Sequence, residues 1–274
     1  QKKLFGTDHI YGLDPFNEVD PPSFEPEYLR KIASDMYATL TAADPKAQWM
    51  QMTWMFYFDK DKWTSERMKA LLTGVPQNKM ILLDYHCENV ELWKRTEHFH
   101  DQPYIWCYLG NFGGNTMIAG NLNDIDFKIK RLFKEGGDNV YGLGATLEGF
   151  DVNPLMYEFV FDHAWDYPVT TDQWITNWSM CRGGNQDANI IKAWRALHQK
   201  IYTEHATCGQ SVLMNARPRL TGTKSWNTNP GIHYANNDLW QIWKELLKAR
   251  NINNSDFRFD VINIGRQVLG NLFS

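Results

Sequence analysis

Cysteine is scarce. The 274 residues hold 4 of them, Cys87, Cys107, Cys181 and Cys208, too few and too scattered for a disulfide framework. Cys87 and Cys107 fall in strand-like runs and read as buried thiols. No apolar run approaches the length of a membrane span, and no signal peptide is visible. The chain opens on Gln1 with a polar stub and runs straight into a strand. It therefore reads as part of a longer polypeptide, and the missing leader says nothing about compartment. An excess of positive charge is absent too. The formal net charge of −4 argues against nucleic acid or an anionic membrane surface as the main partner. There is no G-x-G-x-x-G, no G-K-S/T phosphate cradle and no G-x-S-x-G elbow. His86-Cys87-Glu88 has the H-x-E of zinc deaminases, but the P-C-x-x-C that this chemistry also needs does not follow.

What the chain has in quantity is aromatic side chains, 14% with 12 Trp. Most of these rings belong in a large core. The rest can wall a sugar site, because the apolar faces of sugars pack on rings.

The first half alternates strand and helix. His9–Phe16 reads as a strand that delivers Asn17-Glu18 at its tip before Pro21-Pro22 break the chain. A helix follows, with Ser23 as a cap, Pro26 in its first turn, and Tyr28, Leu29, Ile32, Met36 and Leu40 at helical spacing. Further strands are expected over 47–56, 79–88, 103–115 and 139–149. Helices are expected over Ser65–Leu72, Asn89–Phe99, Met117–Lys134 and Asn153–Trp165. Apolar strands alternating with helices imply an α/β fold with a parallel sheet. Five strand–helix units fit either an open doubly wound sheet or part of a (β/α)8 TIM-like barrel. The missing phosphate fingerprint lowers the first, and a barrel needs eight strands, so three would lie upstream. The expected domains are therefore 1–165, the later part of a barrel, and 166–274, an all-helical domain that is itself cut short. Its helices are expected over Asp172–Met180, Gln186–His205, Ala235–Arg250 and Ser255–Phe273, with a loop-rich stretch at Thr207–Tyr234.

In a βα barrel catalytic side chains sit at strand tips. Glu18 and Glu148 both fall there, and two carboxylates are the minimum equipment for splitting a glycosidic bond. Each is also an ordinary loop acid in isolation. Asp84 and Glu88 are rivals at another tip, although Asp84 sits in an apolar run and equally suits a buried, hydrogen-bonded role. Gly113-Gly114 lets the backbone turn tightly, either as a plain strand-to-helix turn or as a sugar-contact loop. Trp54 and Trp106 suit a ring wall or the barrel core.

DPFNEVDPPS, QMTWMFYF, LLDYHCE, QPYIWCYLGNFGGN and YGLGATLEG follow one another as in the α-N-acetylglucosaminidases, glycoside hydrolase family 89. The chain resembles that family closely over residues 8–165 and more weakly through ARPRL, IHYANND and the last helix. The resemblance implies exo-hydrolysis of terminal α-linked N-acetylglucosamine with retention, no metal and no organic cofactor. It implies Glu18 as acid/base and Glu148 as nucleophile. It also implies Asn17, Trp54, Tyr85, Trp106, Asn111 and Phe112 as residues lining the sugar pocket, with Tyr85 replacing an aliphatic residue of another member. The partners it implies are a glycan ending in α-N-acetylglucosamine and the remaining segments of the same polypeptide, in a secreted, periplasmic or lysosomal setting. Substrate-assisted attack by the acetamido group usually shows two adjacent acids, and no such pair ends a strand. Another barrel glycosidase and a non-catalytic sugar binder are the alternatives.

Overall fold

The computed structural model describes residues 2–149, 153–165, 169–184, 186–205, 232–250 and 253–272. In chain order the elements are α1 (Lys2–Phe5), β1 (Ile10–Gly12), α2 (Pro26–Ala43), β2 (Gln48–Met52), α3 (Trp54–Phe58), α4 (Ser65–Leu72), β3 (Met80–Asp84) and α5 (Glu97–His100). Next come β4 (Tyr104–Tyr108), β5 (Gly120–Asn121), α6 (Leu122–Glu135), β6 (Val140–Ala145), α7 (Pro154–Asp162), α8 (Thr171–Gly183), α9 (Ala188–Lys200) and β7 (Thr203–Glu204). Two helices close the described chain, α10 (Asn236–Leu246) and α11 (Ser255–Leu272). The loop expected at Thr207–Tyr234 lies outside the described residues up to residue 231, as do Cys208 and Phe273.

Two compact units form, one from Gln1–Leu109 with Lys128–Thr146, the other from Gly110–Phe127 with Leu147–Ser274. In the first, five strands pair in the order β1-β2-β3-β4-β6, each neighbour parallel. Strand order follows chain order without reversal. A doubly wound sheet reverses order at its switch point, so the sequence alternative of an open sheet is set aside and the barrel arrangement stands. The sheet side of this unit is filled by Trp49, Leu82, Tyr104 and Trp106, none of them exposed. Each such side chain contributes about 1.5–3 kcal/mol on burial. Helix α2 packs close to the end of α4. A Cβ placed on Gly74 would lie 2.5 Å from the Arg30 carbonyl oxygen and 2.9 Å from the Ala33 Cβ, so glycine is what permits the approach.

The second unit holds α7 to α11 and a two-stranded antiparallel ribbon, β5 with β7. Helix α8 starts on a capping box: the Gln173 amide donates to Thr170 Oγ1 and the Thr170 amide to Gln173 Oε1, which satisfies two otherwise orphaned donors. It ends at Gly184. Its Arg182 grips the buried Asp260 of α11 with two hydrogen bonds, 2.6 and 3.0 Å. Trp174, Trp178 and Trp194 pack ring against ring between α8 and α9.

Several expectations need correction. The strand expected over 47–56 stops at Met52. Thr53 Oγ1 donates to the Leu83 carbonyl and accepts the Tyr85 amide, taking over the ladder with its side chain and releasing Trp54–Phe58 into a helix. The strand expected over His9–Phe16 ends at Gly12, because Pro15 has no amide to continue pairing and Phe16 takes a positive φ of 63°. The strand expected over 79–88 ends at Asp84. The helix expected over 89–99 is broken. A 3-10 turn occupies Leu92–Lys94, and Glu97 to Asp101 all have positive φ.

Candidate active site

Glu18 belongs to the first unit and Glu148 to the second. Glu18 lies beyond β1 in a turn fastened to the β2–α3 segment by three side-chain hydrogen bonds. Trp49 Nε1 donates to the Leu13 carbonyl at 2.9 Å, Gln51 Nε2 to Asp14 Oδ1 at 2.8 Å, and Trp54 Nε1 to Glu18 Oε1 at 3.0 Å. The spacing has a simple cause. Residues 49 and 51 point to one face of β2 by strand alternation, and the helix that starts at Trp54 carries the third donor onward. Burial raises the Asp14 carboxyl above the ordinary carboxylate range, opposed by the Gln51 hydrogen bond.

The Trp54 ring is partly open and sits in an aromatic group: 4.9 Å from Tyr57, 5.5 Å from Tyr85 and 6.0 Å from Phe58, centroid to centroid. Tyr85 follows β3. Its amide is held by Thr53 and its carbonyl by Thr146 Oγ1 at 2.6 Å. Asn17 is half-buried, and its Oδ1 is buried with no hydrogen-bond partner among the described residues. A buried amide oxygen without a donor is costly, about 1–3 kcal/mol. Glu18, Trp54 and Tyr85 are thus brought together, with Asn17 adjoining through the chain.

Trp106 is not part of that group. Its ring is fully buried and its Nε1 donates to Glu91 Oε1 at 3.2 Å. It pairs in register with Asp84, so the two side chains share a face. Asp84 accepts the amides of Leu92 and Trp93. Both therefore face the 91–93 segment, and Trp106 presents no open ring there to a sugar. Glu91 gathers further donors: Trp93 Nε1, Lys94 and Arg131.

The rival acids are committed elsewhere. Asp84 is fully buried, and desolvation pushes its carboxyl up to about 7 against the pull of the two amides. Glu88 is buried, accepts the Leu109 amide at 3.1 Å and has His86 3.5 Å away. Among the described residues no group of three or more His, Cys, Asp or Glu side chains could hold a metal ion.

In the second unit, Glu148 lies three residues beyond β6 with its side chain exposed. The Gly113 amide donates to its carboxylate at Oε2. Gly113 has φ of 65°, a left-handed backbone that glycine adopts without penalty, and that conformation accompanies the amide directed at the carboxylate. The Glu148 amide donates to Asn111 Oδ1 at 3.1 Å, and Asn111 Nδ2 donates to the Gly149 carbonyl at 3.1 Å. Asn111 is only 2% exposed. Tyr157 Oη donates to the same Oδ1 at 3.4 Å. Phe112 is half-buried in the 3-10 turn Phe112–Gly114. Sequence reasoning missed Tyr157 and the Gly113 amide. The Gly113-Gly114 pair was the visible signal for the second, while nothing in the pattern around Tyr157 marks it out from a core residue.

The family model described as the α-N-acetylglucosaminidase (NAGLU) TIM-barrel domain matches residues 1–167. The model for the C-terminal domain of the same family matches residues 174–274. A Homo sapiens protein named α-N-acetylglucosaminidase is 33% identical over 99% of this chain, which spans 37% of that protein's length. A family 89 glycoside hydrolase from Clostridium perfringens, solved with PUGNAc, is 25% identical with a TM-score of 0.82, over 98% of this chain and 30% of its own. A structure of the Clostridium perfringens enzyme with its substrate GlcNAc-α-1,4-galactose has the same fold, at 23% identity, a TM-score of 0.82 and the same coverage.

Proposed function

From the premise that the chain belongs to the α-N-acetylglucosaminidase family, we propose that it carries the two catalytic acids of a retaining exo-glycosidase that releases terminal α-linked N-acetylglucosamine. One observation carries the reading. Over nearly its whole length the chain is 33% identical to a protein of that name.

In this reading Glu18 protonates the glycosidic oxygen as the bond to the anomeric carbon breaks. The Glu148 carboxylate attacks that carbon from the opposite face and forms a glycosyl ester. Glu18, now ionised, takes a proton from water as the water's oxygen displaces Glu148, which leaves as carboxylate. Trp54 Nε1 occupies one oxygen of Glu18, which leaves Oε2 for the leaving group. Trp54 and Tyr85 offer apolar ring surface to the sugar, and the Asn17 amide bonds a sugar hydroxyl. Phe112 contributes ring edge near Glu148. Trp106 supports the fold behind this surface rather than touching sugar. Residues 1–165 are the later part of the catalytic barrel and residues 166–274 a helical domain. Retention requires carboxyls about 5–5.5 Å apart in the sugar-bound enzyme.

The test is chemical rescue in the intact protein. Glu148→Ala should lose hydrolysis of an aryl α-N-acetylglucosaminide and, with azide added, yield the β-glycosyl azide. Wild-type turnover in that variant removes the nucleophile assignment. A panel of aryl α- and β-glycosides separates this activity from that of another barrel glycosidase.

A further inference from the structure

We propose that Asn111 acts as the positioning residue for Glu148, and that it binds no sugar itself: with Tyr157 behind it, its amide clamps the Glu148–Gly149 backbone and so fixes where the carboxylate points. The inference rests on Glu148 being the nucleophile and adds a function for a residue that the sequence resemblance placed in the pocket lining.

Both ends of the Asn111 amide are engaged. Oδ1 accepts from the Glu148 amide at 3.1 Å and from Tyr157 Oη at 3.4 Å. Nδ2 donates to the Gly149 carbonyl at 3.1 Å. The bonds to Glu148 N and Gly149 O straddle the nucleophile's own residue and its successor, so the peptide between them cannot rotate without breaking one. The side chain is buried, which strengthens these bonds and keeps water from competing. The other end of the arrangement closes on the same loop. The Asn115 amide donates to the Asn111 carbonyl at 3.1 Å, which ties down the turn whose Gly113 amide meets the Glu148 carboxylate. The fit is tight: a Cβ on Gly149 would lie 3.1 Å from Asn111 Nδ2. Asparagine supplies an acceptor oxygen and a donor nitrogen on one flat group. Aspartate would keep the acceptor, lose the donor and bring a second negative charge to the nucleophile.

The experiment compares Asn111→Ala, Asn111→Asp and Tyr157→Phe in the intact protein, using an aryl α-N-acetylglucosaminide and Glu148→Ala with azide as the control. A carboxylate displaced by about 1 Å loses about 100-fold in rate. Asn111→Ala should therefore lower kcat about 100-fold with KM within about two-fold. Asn111→Asp keeps the acceptor for the Glu148 amide and loses the donor to the Gly149 carbonyl, so its kcat should fall between those of Asn111→Ala and the native protein, with KM again within about two-fold. Tyr157→Phe should lower kcat less, with KM again unchanged. If Asn111→Ala does not fold, the Tyr157→Phe and Asn111→Asp kinetics decide. A raised KM with intact kcat would mark Asn111 as a sugar contact and overturn the proposal. Unchanged kinetics in the folded variants would overturn it as well. If Glu148→Ala is inactive while Asn111 variants behave as wild type, only this inference falls. If Glu148→Ala itself turns over normally, the reading beneath it has failed.

Discussion

Replacing Asp84 by asparagine removes a carboxyl group that the first unit buries completely. Its two oxygens accept the Leu92 amide at 3.2 Å and the Trp93 amide at 3.1 Å, yet desolvation outweighs them and pushes the group up to about 7 from 3.8. The sign follows from proton counting. Between those two values the folded protein holds a proton that the unfolded chain has released. Stability contributed by this group is therefore complete below pH 3.8 and is lost as the pH rises through about 7. The shift corresponds to about 4 kcal/mol across the window. For a chain of this size that is about 10 °C in Tm.

Thermal unfolding of the protein and of Asp84→Asn, from pH 4 to pH 8, measures it. The quantity to plot is the difference in Tm between the two proteins, so that groups titrating in both cancel. Asp260, pushed up to about 6 by burial against its Arg182 partner, is one of those. The difference should favour the native protein at acid pH, since an asparagine amide turns a donor toward one of the two backbone amides. It should then close or reverse by pH 8, where the native carboxyl must ionise in the interior. Parallel Tm curves across the whole range would refute the reasoning, because they would mean that Asp84 does not titrate between folded and unfolded states in this window.

Gly74→Ala should destabilise the first unit by about 1–3 kcal/mol, since its new Cβ meets the Arg30 backbone oxygen at 2.5 Å and α2 must move away; a denaturant midpoint equal to the native one would contradict this packing. Glu91→Leu should cost about 3–5 kcal/mol, because two indole N–H groups and Arg131 lose a shared buried acceptor. Equilibrium unfolding reads that loss directly. Trp54→Phe keeps ring surface and deletes the N–H on Glu18 Oε1. It should lower kcat/KM by about 10-fold or more, the value of a hydrogen bond to the charge that develops on Glu18 as it gives up its proton, with the larger loss on substrates whose leaving group needs protonation.

The periodicity of the chain was readable because strand and helix leave different spacings. Helix α4 lies where the repeat of Met68, Leu71 and Leu72 before Gly74 predicts it. The order of strands was not readable from spacing alone, since five apolar runs fit two sheet topologies. What misled the reading was side-chain chemistry that competes with the backbone. Thr53 ends β2 with its hydroxyl, although the residues after it are as apolar as those before it. Asp84 captures the amides of Leu92 and Trp93, pinning a 3-10 turn where the spacing asks for a longer helix. Trp106 shows the same limit for the site. Its type suits a sugar wall, but register with Asp84 assigns it to the helix-facing side, and register depends on which strands pair.

The two acids differ in what holds them, and the difference suits the work proposed for each. Glu18 is held by a side chain: the Trp54 indole reaches it from a helix whose exposed neighbour is Phe58. Glu148 is held at its carboxylate by a backbone N–H, that of Gly113, and at its own peptide by the buried side chain of Asn111. A backbone donor in a closed turn has no rotamer to change, whereas an indole on a partly open ring can follow its acceptor. A nucleophile must meet the anomeric carbon along one line, so fixed donors serve it. An acid/base must give a proton to the leaving oxygen and later take one from a water, two atoms that arrive at different times. Exchanging the two arrangements would leave the nucleophile free to swing and the proton carrier unable to adjust, and would lower turnover through each step in turn.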